Sequence, residues 1–319
     1  MLGMEDFPRT LAELEERFAT EEACREYLYQ LRWPNGFCCP RCQRQKAWRN
    51  GRVYECAGCG YQLSVTAGTI FHRSRLPLPT WFRAIWWVVS QKNGASALGL
   101  KRILGLGSYQ TAWSWLHKLR RAMIRPERER LSGQVEVDEA YVGGEETGVR
   151  GRETEKKAIV AIAVEVHEPR GFGRIRLRRV PDVSGSSLVS FVCDTIEPGS
   201  EVRTDGWSGY SALPENGYRR NKIVLSSSGD PAHVSLPGVH RVAALLKRWL
   251  LGTHQGAVHP AHLDYYLDEF TFRFNRRTSR SRGKLFYRLL QNAVLREPIS
   301  YRQIVKQVRG PAPKPHPNR

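Results

Sequence analysis

Hydrophobic and polar positions follow two different periods along this chain. In the first 125 residues the apolar spacing is mostly helical. Leu11, Leu14 and Phe18 form a stripe behind Thr10 and Glu13, which have capping-box spacing, and Pro34-Asn35-Gly36 closes the segment. The pattern predicts two short helices between Thr10 and Trp33, with Cys24 as a small core residue. Trp81 to Ser90 reads as an apolar helix broken at Asn93-Gly94, and Ala95 to Leu104 as a second helix. Gly105-Leu106-Gly107 is a tight turn, and Ser108 caps a third helix from Tyr109 to about Ile124.

The period then shortens to two. Gln134 to Gly144 sets Val135 and Val137 among acids and ends at a glycine turn, the mark of a strand. Lys157 to Val166 is a continuous apolar run suited to a buried strand, and Arg174 to Val180 alternates like a half-exposed one. Ser187 to Ile196 is helical, Glu201 to Thr204 returns as a strand, and Lys222 to Leu225 is another short strand. A polar loop, Ser226 to Asp230, precedes a helix from about Val239 to Leu251, and a last helix runs from Ala261 to Phe274. From Gly310 the tail is rich in proline and predicted to be disordered. The order implies a multidomain α+β protein whose second half is a mixed α/β domain.

Cysteine spacing sharpens the first half. Cys39-Pro40-Arg41-Cys42 and Cys56-Ala57-Gly58-Cys59 are two knuckles separated by thirteen residues. That spacing fits a tetrahedral four-thiolate zinc site without an open position, hence a structural ion in a zinc ribbon. Lys46 to Trp48 and Arg52 to Glu55 read as its strands, and Cys38 is left outside the ligand set.

Charge then indicates a partner. The net charge is +19, from 50 Lys and Arg against 31 Asp and Glu, and the arginines come in clusters. Such a field attracts polyanions, either nucleic acid or an anionic membrane. Apolar runs such as Ala84 to Val89 are far too short to span a bilayer, and Met1 to Arg9 lacks the apolar core of a signal peptide. The helix, glycine turn and helix around Gly105 to Gly107 match a helix-turn-helix, in which the second helix enters the major groove. That helix carries Lys118, Arg120 and Arg121 as DNA-contacting candidates. A plain helical core built on Trp113, Trp115 and Leu119 uses the same apolar residues, so both readings stay open.

Two acids carry the candidate chemistry. Asp138 lies inside a strand, where a carboxylate is costly unless paired or metal-bound. Asp205 ends a later strand, just before Gly206. Two carboxylates at neighbouring strand ends would suit hard divalent cations for phosphodiester chemistry. Glu136 shares the Asp138 face, whereas Glu139 points the other way. His240 and Lys247 lie seven residues apart on one helix face, with Arg248 beside them. The plainer reading makes Asp205 a turn cap, Asp138 a surface acid and Lys247 part of a solvated basic face.

Several stretches together resemble insertion-sequence transposases of the ISXO type, which join an N-terminal zinc ribbon to a DDE-type domain. They are Arg32-Trp33-Pro34 with the two knuckles, Ser64 to Thr69, Val137 to Gly144, Thr204 to Trp207, Leu246 to Thr253 and Tyr266 to Arg277. The resemblance implies residues 1–35 as a helical segment, 36–75 as the ribbon and 76–126 as the helix-turn-helix region. It further implies a ribonuclease-H-like catalytic domain over 132–300 and a basic tail over 301–319. Asp138 and Asp205 match the first two metal-binding acids, and Mg²⁺ or Mn²⁺ is the implied catalytic ion. His240 stands where such enzymes typically carry glutamate, and imidazole favours ions softer than Mg²⁺. His233 is a second candidate in the loop before that helix. Arg248, Arg273, Arg276 and Arg277 join the DNA-contacting candidates, and Glu269 is expected to pack or pair with a nearby arginine.

The implied activity is cleavage at transposon ends followed by strand transfer into target double-stranded DNA. The implied setting is a homo-oligomer on paired ends in the prokaryotic cytoplasm, at the nucleoid. Two other readings compete: a DNA-binding relic that lost its third ligand, and a ribonuclease-H-like nuclease without strand transfer.

Overall fold

A computed structural model of the chain describes residues 6–125, 127–143, 157–167, 169, 171–223, 235–256 and 258–306. Gly144, the loop from Ser226 to Asp230, His233 and the tail from Gly310 lie outside them. The chain divides into two compact units, one formed by Met1–Arg125 with Ser279–Gln307, the other by Pro126–Thr278.

The first unit begins with α1 (Leu11–Arg17) and α2 (Glu21–Arg32). Thr10 Oγ1 accepts from the Glu13 amide and Thr20 Oγ1 from the Ala23 amide, so each helix has the side-chain cap its free N–H groups need. Three short strands follow, β1 (Ala47–Asn50), β2 (Val53–Cys56) and β3 (Gln62–Ser64), paired antiparallel in that order. Helix α3 (Leu78–Ser90) is buried along most of its length, and α4 (Ala97–Ile103) packs on α5 (Tyr109–Ala122) across a turn at Gly105, where φ is +62°. Ser108 caps α5 as expected.

Two late helices complete this unit. The periodicity gave no helix between Arg282 and Leu295, and the expected domain boundary put those residues with the catalytic half. The structure forms α9 (Arg282–Leu295) there and packs it on α2, α3 and α5. Phe286 is fully buried among Phe18, Phe82 and Trp86, with ring centroids 6.1, 5.6 and 5.9 Å away. Aromatic burial of this size decides the docking. A short α10 (Tyr301–Lys306) follows and touches α5.

The second unit is built on one five-stranded sheet, ordered β6-β5-β4-β7-β8. Its strands are β4 (Gln134–Val142), β5 (Ala158–Val166), β6 (Phe172–Val180), β7 (Glu201–Thr204) and β8 (Arg219–Lys222). β4, β5 and β6 run antiparallel, whereas β4, β7 and β8 are parallel. The sequence pattern puts the last strand at Lys222 to Leu225, of which Val224 and Leu225 lie outside the described residues; the described strand begins earlier, at Arg219. Parallel pairing with β7 sets the register instead, and an edge strand can be polar.

Both faces of the sheet are covered. Val135, Val137, Ala161 and Ala163 pack against α6 (Gly185–Thr195) on one side. Ala140, Val160, Ile162 and Val164 pack on the other against α7 (Pro237–His254) and α8 (Leu263–Asn275). This two-sided burial explains the unbroken apolar run of β5. No helix among the described residues is long and apolar enough to cross a membrane.

Candidate active site and metal centre

The four knuckle cysteines converge. Their Sγ atoms all lie within 4.8 Å of one another, with Cys39 to Cys59 at 3.7 Å and Cys42 to Cys56 at 3.5 Å. Zn–S bonds of about 2.3 Å at tetrahedral angles set sulfurs roughly 3.8 Å apart, so the set fits zinc. The two knuckles repeat one hydrogen-bond scheme. Gln43 and Gly60 donate to the carbonyls of Cys39 and Cys56, and Cys39 and Cys56 donate to those of Arg44 and Tyr61. Gln43 and Gly60, each the residue after a knuckle's second cysteine, both have positive φ, 61° and 65°. The Gly58 amide lies 3.4 Å from Cys56 Sγ and helps lower that thiol's pKa, as a ligating thiolate requires. Cys38 instead donates to Gln43 Oε1 at 3.3 Å, outside the cluster.

In the second unit, β4 is the central strand and carries the carboxylates. Glu136, Asp138 and Ala140 alternate onto the face covered by α7 and α8, as β-strand geometry demands. Asp138 is half-buried, and its Oδ1 accepts from the Glu139 amide at 2.8 Å. Burial raises its carboxyl pKa, Asp205 pushes the same way, and the Glu139 bonds and His240 oppose them. Asp205 follows directly on β7, where its Oδ1 accepts from the Trp207 amide at 3.0 Å. The turn-capping role foreseen for Asp205 is therefore real. β4 and β7 pair up to Glu136 opposite Arg203; Asp138 and Asp205 each lie two residues past that last pair.

His240 lies in the first turn of α7 and is half-buried, while Lys247 and Arg248 two turns on are exposed. Among the described residues the four cysteines alone gather three or more metal-ligating side chains within 4.8 Å, so Asp138, Asp205 and His240 form a more open arrangement.

Three residues here carry more than the sequence reading gave them. Glu136 is 1% exposed and its Oε2 accepts from the Val239 amide at 3.0 Å. Tyr210, fully buried, has its hydroxyl pKa held well above 10 by burial and then by Glu139, Asp138 and Asp205. Arg220 donates to Thr204 Oγ1 at 3.1 Å and to the carbonyls of Asp205 and Trp207 at 3.2 and 2.9 Å. The alternation of Glu136 with Asp138 was a usable signal. For Arg220 there was none, because its partners are backbone oxygens of another strand end.

The proposed DNA-contacting cations separate into two groups. Arg120 is 1% exposed, which corrects its assignment as a groove contact: it lies on the packed side of α5. Lys118 is half-buried with its pKa lowered by burial and by Arg121, and Arg121 donates to the Glu297 carbonyl at 3.2 Å. Arg273 pairs with Glu269 at 2.8 Å, the internal ion pair foreseen for Glu269. Arg277 donates to the carbonyls of Gly173 and Phe274, and Arg276 lies 4.3 Å over the Phe272 ring. Arg248 is exposed on α7, as is its neighbour Lys247.

These features coincide with known families. The transposase zinc-ribbon domain matches residues 19–62 and the ISXO2-like transposase domain matches residues 130–275. A protein of transposable element ISH50 from Halobacterium salinarum is 28% identical over 290 residues, spanning 84% of this chain and 94% of its own. The ribbon's four-cysteine cluster and the acid-bearing sheet fall inside the two matched segments. Residues 130–275 thus carry an ISXO2-like transposase domain, with a transposase zinc-ribbon domain ahead of it at residues 19–62.

Proposed function

We propose that this protein cuts the DNA strand at its element's terminal inverted repeats and joins the freed 3′ hydroxyl to target DNA. The observation that carries the reading is that Asp138 lies on β4 and Asp205 directly follows β7, its parallel neighbour, near enough to act on the Asp138 carboxyl, inside the matched transposase segment. A strand order with three antiparallel strands followed by two parallel ones, and helices on both faces, supports a ribonuclease-H-like catalytic unit. α4 and α5 are the helix-turn-helix of this reading, with the exposed first turn of α5 available to a groove.

Divalent cations, when bound, would activate the attacking oxygen and relieve charge on the leaving one. Asp138 and Asp205 would hold them, and a bound cation would offset the burial and, after it, the Asp205 repulsion that raise the Asp138 pKa. His240 completes the set from α7. Its imidazole makes Mn²⁺ the better ion than Mg²⁺. Lys247 and Arg248, both exposed, would grip phosphates flanking the cut. The structural zinc shapes the ribbon for end binding, and paired ends call for two or more copies of the chain.

The test is strand cleavage and joining by the purified protein on a labelled duplex bearing the element's terminal repeat, in Mg²⁺ and in Mn²⁺. Joined product that disappears in Asp138→Ala and in Asp205→Ala supports the reading. Nicking without joining would favour a nuclease. The open arrangement of the ligands and the histidine in the third position favour one alternative, a DNA-binding relic. Tight, salt-sensitive binding without cleavage in either ion would establish it.

A further inference from the structure

Helix α7 carries His240 and Lys247. Its N-cap residue, Leu236, makes no side-chain capping bond, and its first turn holds no acid. Buried helix starts need partners for their first amides. A partner comes from 103 residues earlier in the chain, where Glu136 Oε2 accepts from the Val239 amide at 3.0 Å. The adjoining Gly238 amide also points at this carboxylate. Gly238 is itself shaped to the contact, since a Cβ there would come 2.8 Å from Glu136 Oε2 and 2.9 Å from the Phe172 ring. Glu136 stands two residues before Asp138 on the same strand face, and Val239 directly precedes His240.

We propose that Glu136 is a positioning residue, the cap that fixes the His240 helix to the Asp138 strand and so sets the spacing of the metal ligands. The proposal rests on the metal-dependent reading above. It assigns Glu136 no bond to a cation. The carboxylate is already engaged by the helix start, and its negative charge meets the positive end of the helix dipole. Loss of the cap would free the first turn of α7, and His240 would leave its place beside Asp138 without unfolding the sheet. Supporting contacts of this kind typically change metal affinity by about 10–100-fold.

The experiment uses the full-length, zinc-loaded protein, with Mn²⁺ alone as the probe, titrated by calorimetry. Amide hydrogen exchange at Val239 is followed in parallel. Glu136→Ala should weaken Mn²⁺ binding about tenfold or more and speed exchange at Val239. Glu136→Gln, which keeps an acceptor oxygen, should recover most of both. Gly238→Ala attacks the same contact from the helix side and should reproduce the Glu136→Ala pattern, even if the latter fails to fold. Leu188→Ala, in the core on the opposite sheet face, controls for general loosening and should leave Mn²⁺ affinity unchanged. Wild-type affinity in folded Glu136→Ala or Gly238→Ala overturns the proposal, as does an equal loss in Leu188→Ala. If Asp138→Ala binds Mn²⁺ like the wild type, the metal reading fails first. Exchange at Val239 then decides the cap separately, and unchanged exchange in Glu136→Ala overturns it.

Discussion

Arg220 reaches across from β8 to hold Asp205 by its backbone, donating to that residue's carbonyl at 3.2 Å while also binding Thr204 and Trp207. One guanidinium thus fixes the three residues around the end of β7. Trp207 adds a second anchor through its indole N–H, which donates to the Val183 carbonyl at 2.9 Å. The Asp205 carboxylate belongs to the same turn, its Oδ1 accepting from the Trp207 amide at 3.0 Å.

Removing that clamp should therefore damage chemistry more than binding. Arg220→Ala is expected to slow strand cleavage by about 10–100-fold, the scale of a displacement near 1 Å. End-binding affinity in a gel-shift assay should stay within about threefold, because the proposed reading gives the phosphate contacts to exposed cations elsewhere. Equal loss in both assays would show that Arg220 itself contacts DNA.

Zinc content separates the ligand cysteines from their neighbour. Metal analysis should find about one zinc per chain in the wild type and in Cys38→Ser, as expected for one closed four-thiolate site. Cys39→Ser and Cys56→Ser should fall well below one and lose end binding together with the ribbon's fold. A Cys38→Ser protein that loses its zinc would reassign the first knuckle.

Acid should loosen the join between β5 and β6. Glu165 is 5% exposed; burial raises its pKa, but bonds from Arg174 and the Ser132 amide outweigh that and leave it below the usual range. A carboxyl with a depressed folded-state pKa stabilises the fold above its unfolded value and loses that contribution as pH falls through the folded value. Unfolding midpoints should thus begin to drop in the wild type as pH falls below the free glutamate value of about 4.3. Glu165→Gln should be less stable at pH 7 by about 1–2 kcal/mol, discounted because Arg174 is one-third exposed. Its stability should change less over the same acid range.

Gly283 tests the docking of α9. A Cβ at this position would collide with the Pro8 carbonyl and come 2.8 Å from the Phe7 ring. Gly283→Ala should cost about 1–3 kcal/mol through forced backbone movement, despite alanine's better helix propensity. Thermal melting should show the loss, and a neutral or stabilising outcome would mean that the N-terminal segment yields freely.

What the residue order disclosed, and what it withheld, follows from the range of the forces involved. The ribbon was readable because a metal site compresses its requirement into two short knuckles. β4 through β7 were readable because burial on one or both faces writes a period-two or unbroken pattern into each strand. Asp138 stood out as an acid among valines. By contrast, Arg120 looked like a groove contact because a helical basic cluster does not disclose which of its members tertiary packing covers. β8 begins at Arg219, earlier than the apolar run from Ile223 suggests, because the ladder with β7 sets its start. Glu136 and Arg220 act on amides and carbonyls of distant elements, and no local pattern announces such partners.

The return of α9 to the first unit has a consequence in time. Phe18, Phe82 and Trp86 leave the ribosome long before Phe286, which fills the space among them. At 5–20 residues per second, the chain between Phe82 and Phe286 takes roughly 10–40 s to synthesise. Throughout that interval the earliest part of the protein holds an aromatic core with one wall missing, while the whole sheet unit is being made. The segment born first is therefore the one finished last, and a transcript or ribosome that stops short of Phe286 leaves a sticky remnant instead of a free-standing DNA-binding module.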